Sequence, residues 1–352
     1  MFFKFPRTFL LSILVLALFT TGCGGNATDT AEGSGEVKLI LAGYTTPREA
    51  YRELIPLFQE QWKAKTGQNV IFEESYQGSG AQSRAVAEGF EADIVALSLE
   101  ADVIRLEEAG LITHDWRSQP FGGMVSTSVV AFAVREDNPK GIRDWADLAQ
   151  PGLEILTPNP KTSGGAMWNI LGAYGAAQRG HVPGYSADEA GAQEFLLAVL
   201  QNVSVMDKSA RDSIVNFEKG IGDVAITYEN EVFVGQQAGQ AYELVLPTST
   251  IQIDNPIAIV DAYADKHGVR EVAEAFIEFL FTPEAQQIFA KYGLRSPDPE
   301  VAQATENQYP PIEDLFTISH FDGWQDATPT FFGETGIFFQ TLEQVQGIQI
   351  GE

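Results

Sequence analysis

From Val37 onward the chain alternates short apolar runs with stretches of helical periodicity, and it does so in two rounds. That alternation constrains the fold most, because strands separated by helices pair in parallel through crossover connections. In the first round, "VKLILAGY" (37–44), "NVIFEESY" (69–76) and "ADIVALSL" (92–99) are strand candidates. Between and after them come "PREAYRELIPLFQEQWK" (47–63), a helix running from "GSG" (78–80) to Gly89, and "EADVIRLEEAG" (100–110). Tyr51, Leu54, Ile55, Phe58 and Trp62 share one face of the first helix. Pro47 suits its first helical position, and Pro56 is expected to kink or divide it.

The second round has strands "LEILTP" (153–158), "VSVMD" (203–207), "DVAITYEN" (223–230) and "YELVLPT" (242–248). Its first helix carries Met167, Ile170, Leu171 and Tyr174 at i, i+3, i+4 and i+7; another buries Ala192, Phe195, Leu196, Val199 and Leu200; a third follows "KSARD" (208–212). Two long apolar strands, "VSTSVVAFAVR" (125–135) and "TIQIDNPIAIVDAY" (250–263), read as crossings between two domains. Val269 to Leu280 form an amphipathic helix, and "TPEAQQIFAKYG" (282–293) another, with Thr282 as cap and Pro283 in its first position. The tail from Ser296, rich in Pro, Gly and Phe, carries no assignment, and no solenoid-period repeat is present.

With 352 residues, 44% hydrophobic and 20% charged, the chain has the composition and length of two globular domains. Residues 1–22 differ: Lys4 and Arg7 precede an uncharged run from Phe9 to Thr20, too short to span a bilayer and patterned as a signal peptide. The run ends in "TTGC" (20–23), which resembles the bacterial lipobox, although Thr20 stands where Leu is usual. That resemblance implies acylation at Cys23 and a location in the periplasm or at the outer face of the cytoplasmic membrane, anchored through the lipid. Cys23 is the only cysteine, so a disulfide framework and a cysteine-based metal site are excluded. Residues 23–36, "CGGNATDTAEGSGE", read as a flexible tether. Without residues 1–22 the formal charge is 20 − 48 = −28, which repels nucleic acid and anionic membrane surfaces.

Four strand-to-helix corners share a composition: "YTTPRE" (44–49), "YQGSGAQ" (76–82), "KTSGGA" (161–166) and "KSARD" (208–212). Each places Gly, Ser, Thr or Ala where a helix begins. Small residues let an anion reach the backbone, and the first amides of a helix lack intrahelical acceptors and carry partial positive charge. In open α/β sheets ligands bind beyond the carboxyl ends of the strands. Each corner alone is an ordinary turn and cap; with two from each candidate domain, all four can converge across a cleft.

"NPKTSGGAMWN" (159–169), together with "YQGSGAQ", "IGDVAITYENE" (221–231), "NPIAIVD" (255–261) and "TPEAQ" (282–286), resembles the signature set of the bacterial sulfate-binding proteins of ABC importers. The resemblance runs from about Val37 to at least Trp324. It implies an α/β, type II periplasmic-binding-protein fold, with residues 37–124 and 256–352 as lobe I, 125–255 as lobe II, and hinges near 125–135 and 250–260. It implies sulfate held by hydrogen bonds alone. Thr45 would give its backbone N–H, Ser79 would contact the anion, and Ser163 would give hydroxyl and N–H. Gly164, Gly165 and Ala210 would give N–H groups. Tyr228 stands where enteric members place a Trp that donates from its indole. The implied partners are an ABC permease with its cytoplasmic ATPase, for a protein expected to act as a monomer without cofactor or metal. Thiosulfate is the alternative ligand, followed by molybdate and phosphate. None of the matched positions is a carboxylate, so the proton of phosphate would lack an acceptor; Asp207 and Asp212 are expected to face away or cap the helix.

An enzyme finds little support. "QGSGA" is not G-x-S-x-G, and His114, His181, His267 and His320 are scattered without H-E-x-x-H. No nucleotide P-loop is present, and nothing resembles a kinase or DNA-binding segment.

Overall fold

The computed structural model describes residues 35–351. The expected signal peptide and Cys23 lie outside the described residues. The first strands and helices are β1 (Glu36–Tyr44), α1 (Arg48–Thr66), β2 (Asn69–Gln77), α2 (Ser79–Ala87), β3 (Ile94–Ala96) and α3 (Glu100–Glu108). Then come β4 (Met124–Val134), β5 (Ile155–Pro158), α4 (Gly164–Gln178), α5 (Glu189–Gln201), β6 (Val203–Asp207), α6 (Ala210–Glu218), β7 (Val224–Tyr228) and α7 (Glu229–Gln237). The chain continues through β8 (Glu243–Val245), β9 (Ser249–Ile259), α8 (Asp261–His267), α9 (Arg270–Leu280), α10 (Pro283–Lys291) and α11 (Pro299–Thr305). It ends with β10 (Asp314–Phe316), α12 (Trp324–Phe332) and α13 (Ile337–Gly351).

The strands order as β2-β1-β3-β9-β4-β7-β5-β6, with β10 on β9 and β8 on β4. β1 pairs in parallel with β2 and β3, and β5 in parallel with β6 and β7. The joint is the antiparallel pair β4 and β9, each of 11 residues. The carboxyl-terminal end of β9 runs against β3, while the corresponding end of β4 runs against β7. The two crossing strands read from sequence are therefore shared by both halves of the sheet.

Helices cover both faces of each half. Leu39, Leu41, Ile94 and Ile257 pack with α1, α9 and α10; Ala42, Val95 and Ala258 pack with α2 and α3 on the other face. α1 runs unbroken through Pro56, which is exposed. The carbonyl that loses its amide partner is that of Arg52, an exposed residue on the solvent side of the helix.

Of residues 256–352, expected in lobe I, α8 to α10 pack on the first half, whereas the tail from Asp314 packs chiefly on the second. Phe316, Phe321, Trp324, Phe331, Phe338 and Val345 belong to the core built on α4 and α5. The reason lies in α4. Gly164 to Ala177 are all buried, so the helix is apolar around its whole circumference, not along one stripe. One side lies on the sheet and the tail covers the other. Trp324 meets Trp168 edge-on at 4.7 Å and Phe331 meets Tyr174 at 4.9 Å. A side chain at Gly175 would strike the Phe316 ring at 2.6 Å. To reach this position the chain crosses a third time, at Arg295, whose backbone pairs with Thr127 through two 2.8 Å bonds. β10 then adds to β9 beside Ser249–Ile251.

Candidate anion site

The carboxyl ends of β1, β2, β5, β6 and β7 each lead within a few residues into a helix, and these corners meet between the two halves. The contacts are close. A side chain at Gly78 would strike the carbonyls of Thr162 and Lys208 at 2.5 and 2.6 Å, so the second corner abuts the third and fourth. Ala81 N–H donates to Thr162 O at 3.0 Å, and Arg84 Nη2 to Lys161 O at 2.6 Å. Gly165 faces the Tyr228 ring and Ala210: an added Cβ would lie 2.7 Å from Tyr228 Cε2 and 3.4 Å from Ala210 Cβ. The second, third and fourth corners thus converge with Tyr228, and the first joins them through Glu49, bonded to Arg211, and Tyr44, beside Tyr228.

Ser79, Ser163, Gly164, Gly165, Ala210 and Tyr228 are buried, and Thr45 is half-buried. The amides of Gly164 and Gly165 open α4, which has no side-chain cap, and Ala210 opens α6. Such amides have no intrahelical acceptor.

Two details differ from expectation. Ser163 N–H is not free: it donates to Asn159 O at 2.9 Å within the loop, so only its hydroxyl remains to offer. Ser79 Oγ donates to Asp102 Oδ2 at 2.6 Å and accepts from Ser98 N–H at 3.0 Å. Its hydroxyl is spent on holding the corner, and what the corner can offer is its helix-opening amides. Asp102 is almost fully buried, and Arg105 Nη1 neutralises it at 2.6 Å. That carboxylate lies 23 residues from Ser79 and was not signalled in the sequence.

Of the other acids, Asp212 does not itself cap α6: Ser209 is the cap, its Oγ accepting from Asp212 N–H and donating to Asp212 Oδ2 at 2.8 Å, while Asp207 Oδ1 accepts from Asn216 Nδ2 at 2.6 Å. Arg211 lies beside the site, but its charge is claimed. It donates twice to Glu49 across the cleft, at 2.7 and 2.8 Å, and through Nε to the buried Glu231 at 2.6 Å. Burial works against the Glu49 carboxylate, but Arg211 outweighs it and holds the pKa below the usual range. For Glu231, burial wins and the pKa is raised.

Several buried hydroxyls in this region have no hydrogen-bond partner within 3.5 Å: Tyr44, which faces Ser126, Thr46, which faces Glu231, and Ser98 and Tyr228, which face each other. Glu231 Oε1 likewise has no partner within 3.5 Å. Tyr44 and Tyr228 come from opposite halves, with ring centroids 6.2 Å apart. Burial pushes both phenols well above their usual pKa, so each is a neutral donor at physiological pH. Among the described residues no group of three or more His, Cys, Asp or Glu is placed to hold a metal ion, and no helix is long and apolar enough to cross a membrane.

Residues 39–295 match the family model of bacterial extracellular solute-binding proteins. The chain is 46% identical over 347 residues to the sulfate-binding protein of Synechococcus elongatus, covering 97% of this chain and 98% of the relative. It is 41% identical over 310 residues to the sulfate-binding protein of Escherichia coli, covering 87% and 93%. The thiosulfate-binding protein of Pseudomonas aeruginosa is more distant, at 33% over 307 residues, 86% of this chain and 91% of the relative. Among solved structures, the sulfate-binding protein SubI from Mycobacterium tuberculosis superposes with a TM-score of 0.77 at 36% identity, covering 84% of this chain and 99% of that one. With this fold, these converging helix starts and this similarity over nearly its whole length, the chain belongs to the bacterial extracellular solute-binding proteins, in the family of the sulfate-binding proteins.

Proposed function

We propose that the protein captures sulfate between two lobes and delivers it to an ABC permease at the outer face of the cytoplasmic membrane, without catalysing a reaction. The carrying observation is the convergence of helix starts, those of α2 and α4 without side-chain caps, with buried hydroxyls that have no partner within 3.5 Å. An unpaired buried polar group costs about 1–3 kcal/mol, and a tetrahedral dianion with four acceptor oxygens satisfies several at once. The proposed donors are the amides of Thr45, Ser79, Gly164, Gly165 and Ala210 and the hydroxyls of Ser163 and Tyr228. Hydrogen bonds to a charged group contribute about 1.5–3 kcal/mol each, so seven gross roughly 10–20 kcal/mol before the cost of dehydrating the anion. Micromolar affinity requires only about −8 kcal/mol.

In this reading lobe I comprises residues 37–124 and α8 to α11, and lobe II comprises 125–255 with the tail from Asp314. β4 and β9 act as hinges. Relatives named for sulfate and for thiosulfate both match the chain, and the former are the more similar. Titration calorimetry with sulfate, thiosulfate, molybdate and phosphate tests the proposal. Sulfate is expected to bind most tightly, and failure to bind either sulfur oxyanion would overturn it.

A further inference from the structure

We infer that Ser98 is a further ligand-contacting residue, whose hydroxyl reaches the anion from lobe I beside that of Tyr228. The inference rests on the sulfate reading and deepens it. Ser98 lies in a fifth corner, between β3 and α3, where the strand ends at Ala96. Its main chain is held on three sides. The N–H donates to Ser79 Oγ at 3.0 Å, and the carbonyl accepts from Trp168 Nε1 at 2.8 Å and Asn255 Nδ2 at 3.2 Å. Those bonds tie the corner to the Ser79 helix, to α4 and to the hinge strand β9. The hydroxyl, in a residue 1% exposed, faces the Tyr228 hydroxyl and has no hydrogen-bond partner within 3.5 Å.

Its position is fixed by α4. A Cβ built on Gly164 would come within 2.1 Å of Ser98 Oγ, and one built on Gly165 within 3.3 Å of the Tyr228 hydroxyl. The first turn of α4 is therefore flanked by two hydroxyls that face each other beyond 3.5 Å, Ser98 against Gly164 and Tyr228 against Gly165. Gly164 and Trp168 are one helical turn apart, so the face of α4 that opens the anion site also grips the Ser98 carbonyl. A buried hydroxyl left without a partner is destabilising. Placed beside free helix-opening amides, it is a donor awaiting an acceptor, and a serine hydroxyl can rotate toward an unprotonated oxygen.

The test is Ser98→Ala, titrated with sulfate by calorimetry beside the unaltered protein. Affinity should fall about ten- to a hundredfold, the loss of one hydrogen bond to a charged group. The melting temperature without ligand should stay level or rise, because an unsatisfied buried hydroxyl has been removed. Ser98→Cys, a close isostere with a weak donor, should fall between the two and carries the test should the alanine variant fail to fold. An unchanged sulfate affinity in these variants, with normal binding by the unaltered protein, overturns the inference alone. Absence of sulfate binding by the unaltered protein overturns the functional reading and the inference together.

Discussion

Gly164→Ala separates closure of the cleft from folding of its parts. In the structure an added Cβ would lie 2.1 Å from Ser98 Oγ and 2.6 Å from Leu99 Cδ2. Real Cβ contacts essentially never fall below 3.0 Å, so the first falls short by 3.0 − 2.1 = 0.9 Å. Turning the Ser98 side chain would relieve one contact but not the other. Both obstacles lie between β3 and α3, in the proposed lobe I, while Gly164 opens α4 in the proposed lobe II. The methyl group therefore obstructs closure without disturbing lobe II itself. Overpacking of this kind costs about 1–3 kcal/mol. Holding the lobes nearly 1 Å apart also weakens at least one hydrogen bond to the anion, a further ~1.5–3 kcal/mol. The sum, roughly 2.5–6 kcal/mol, corresponds to about two to four orders of magnitude in Kd. Gly165→Ala is the internal comparison, because its obstacles, Tyr228 and Ala210, lie in the same lobe. That variant should lower the melting temperature of the ligand-free protein as well as the affinity, whereas Gly164→Ala should lower affinity alone. Calorimetry with sulfate and thermal melting without it read the two effects. Wild-type affinity for Gly164→Ala would refute the placement of Ser98 against α4 in the closed form.

Arg211→Ala should destabilise the sulfate-bound protein by about 3–5 kcal/mol in urea unfolding, because Glu231 would remain buried and Glu49 would lose its cross-cleft partner; an unchanged midpoint would show that the cluster contributes nothing net. Asp314, which accepts from Arg179 and from Ser249 Oγ at 2.6 Å, has its pKa lowered to about 2, chiefly by Arg179. A depressed folded pKa contributes stability that is present above the unfolded value and lost as pH falls through the folded one. Asp314→Asn should therefore lower the melting temperature at pH 7, with the difference shrinking below pH 4 and vanishing near pH 2; a pH-independent difference would contradict the assignment.

Much of this architecture is legible in the residues. The face of α1, the capped start of α10 and the crossing strands follow from local periodicity and punctuation. The corner compositions place helix starts at the ends of strands. α7 is not legible, because "ENEVFVGQQ" opens with three buried polar residues and presents no apolar stripe. The start of α3 hid Ser98 for a related reason: "ADIVALSL" is apolar enough to read as strand throughout, yet only Ile94–Ala96 pair. The destination of the tail was implicit in α4, whose apolar residues surround the helix and demand cover on two sides.

By itself the sequence determined which segments become strands and helices, which corners carry small residues, and hence that helix starts could gather around an anion. Those properties depend on neighbours within a turn or a pleat. Only the tertiary structure decided which donors remain free. Ser163 N–H is consumed within its loop, the Ser79 hydroxyl by a carboxylate 23 residues away, and Arg211 by two acids 162 and 20 residues away. Ser98, by contrast, is left holding an unused hydroxyl. Hydrogen-bond capacity is a property of a residue, but its availability depends on everything brought within about 3 Å of it.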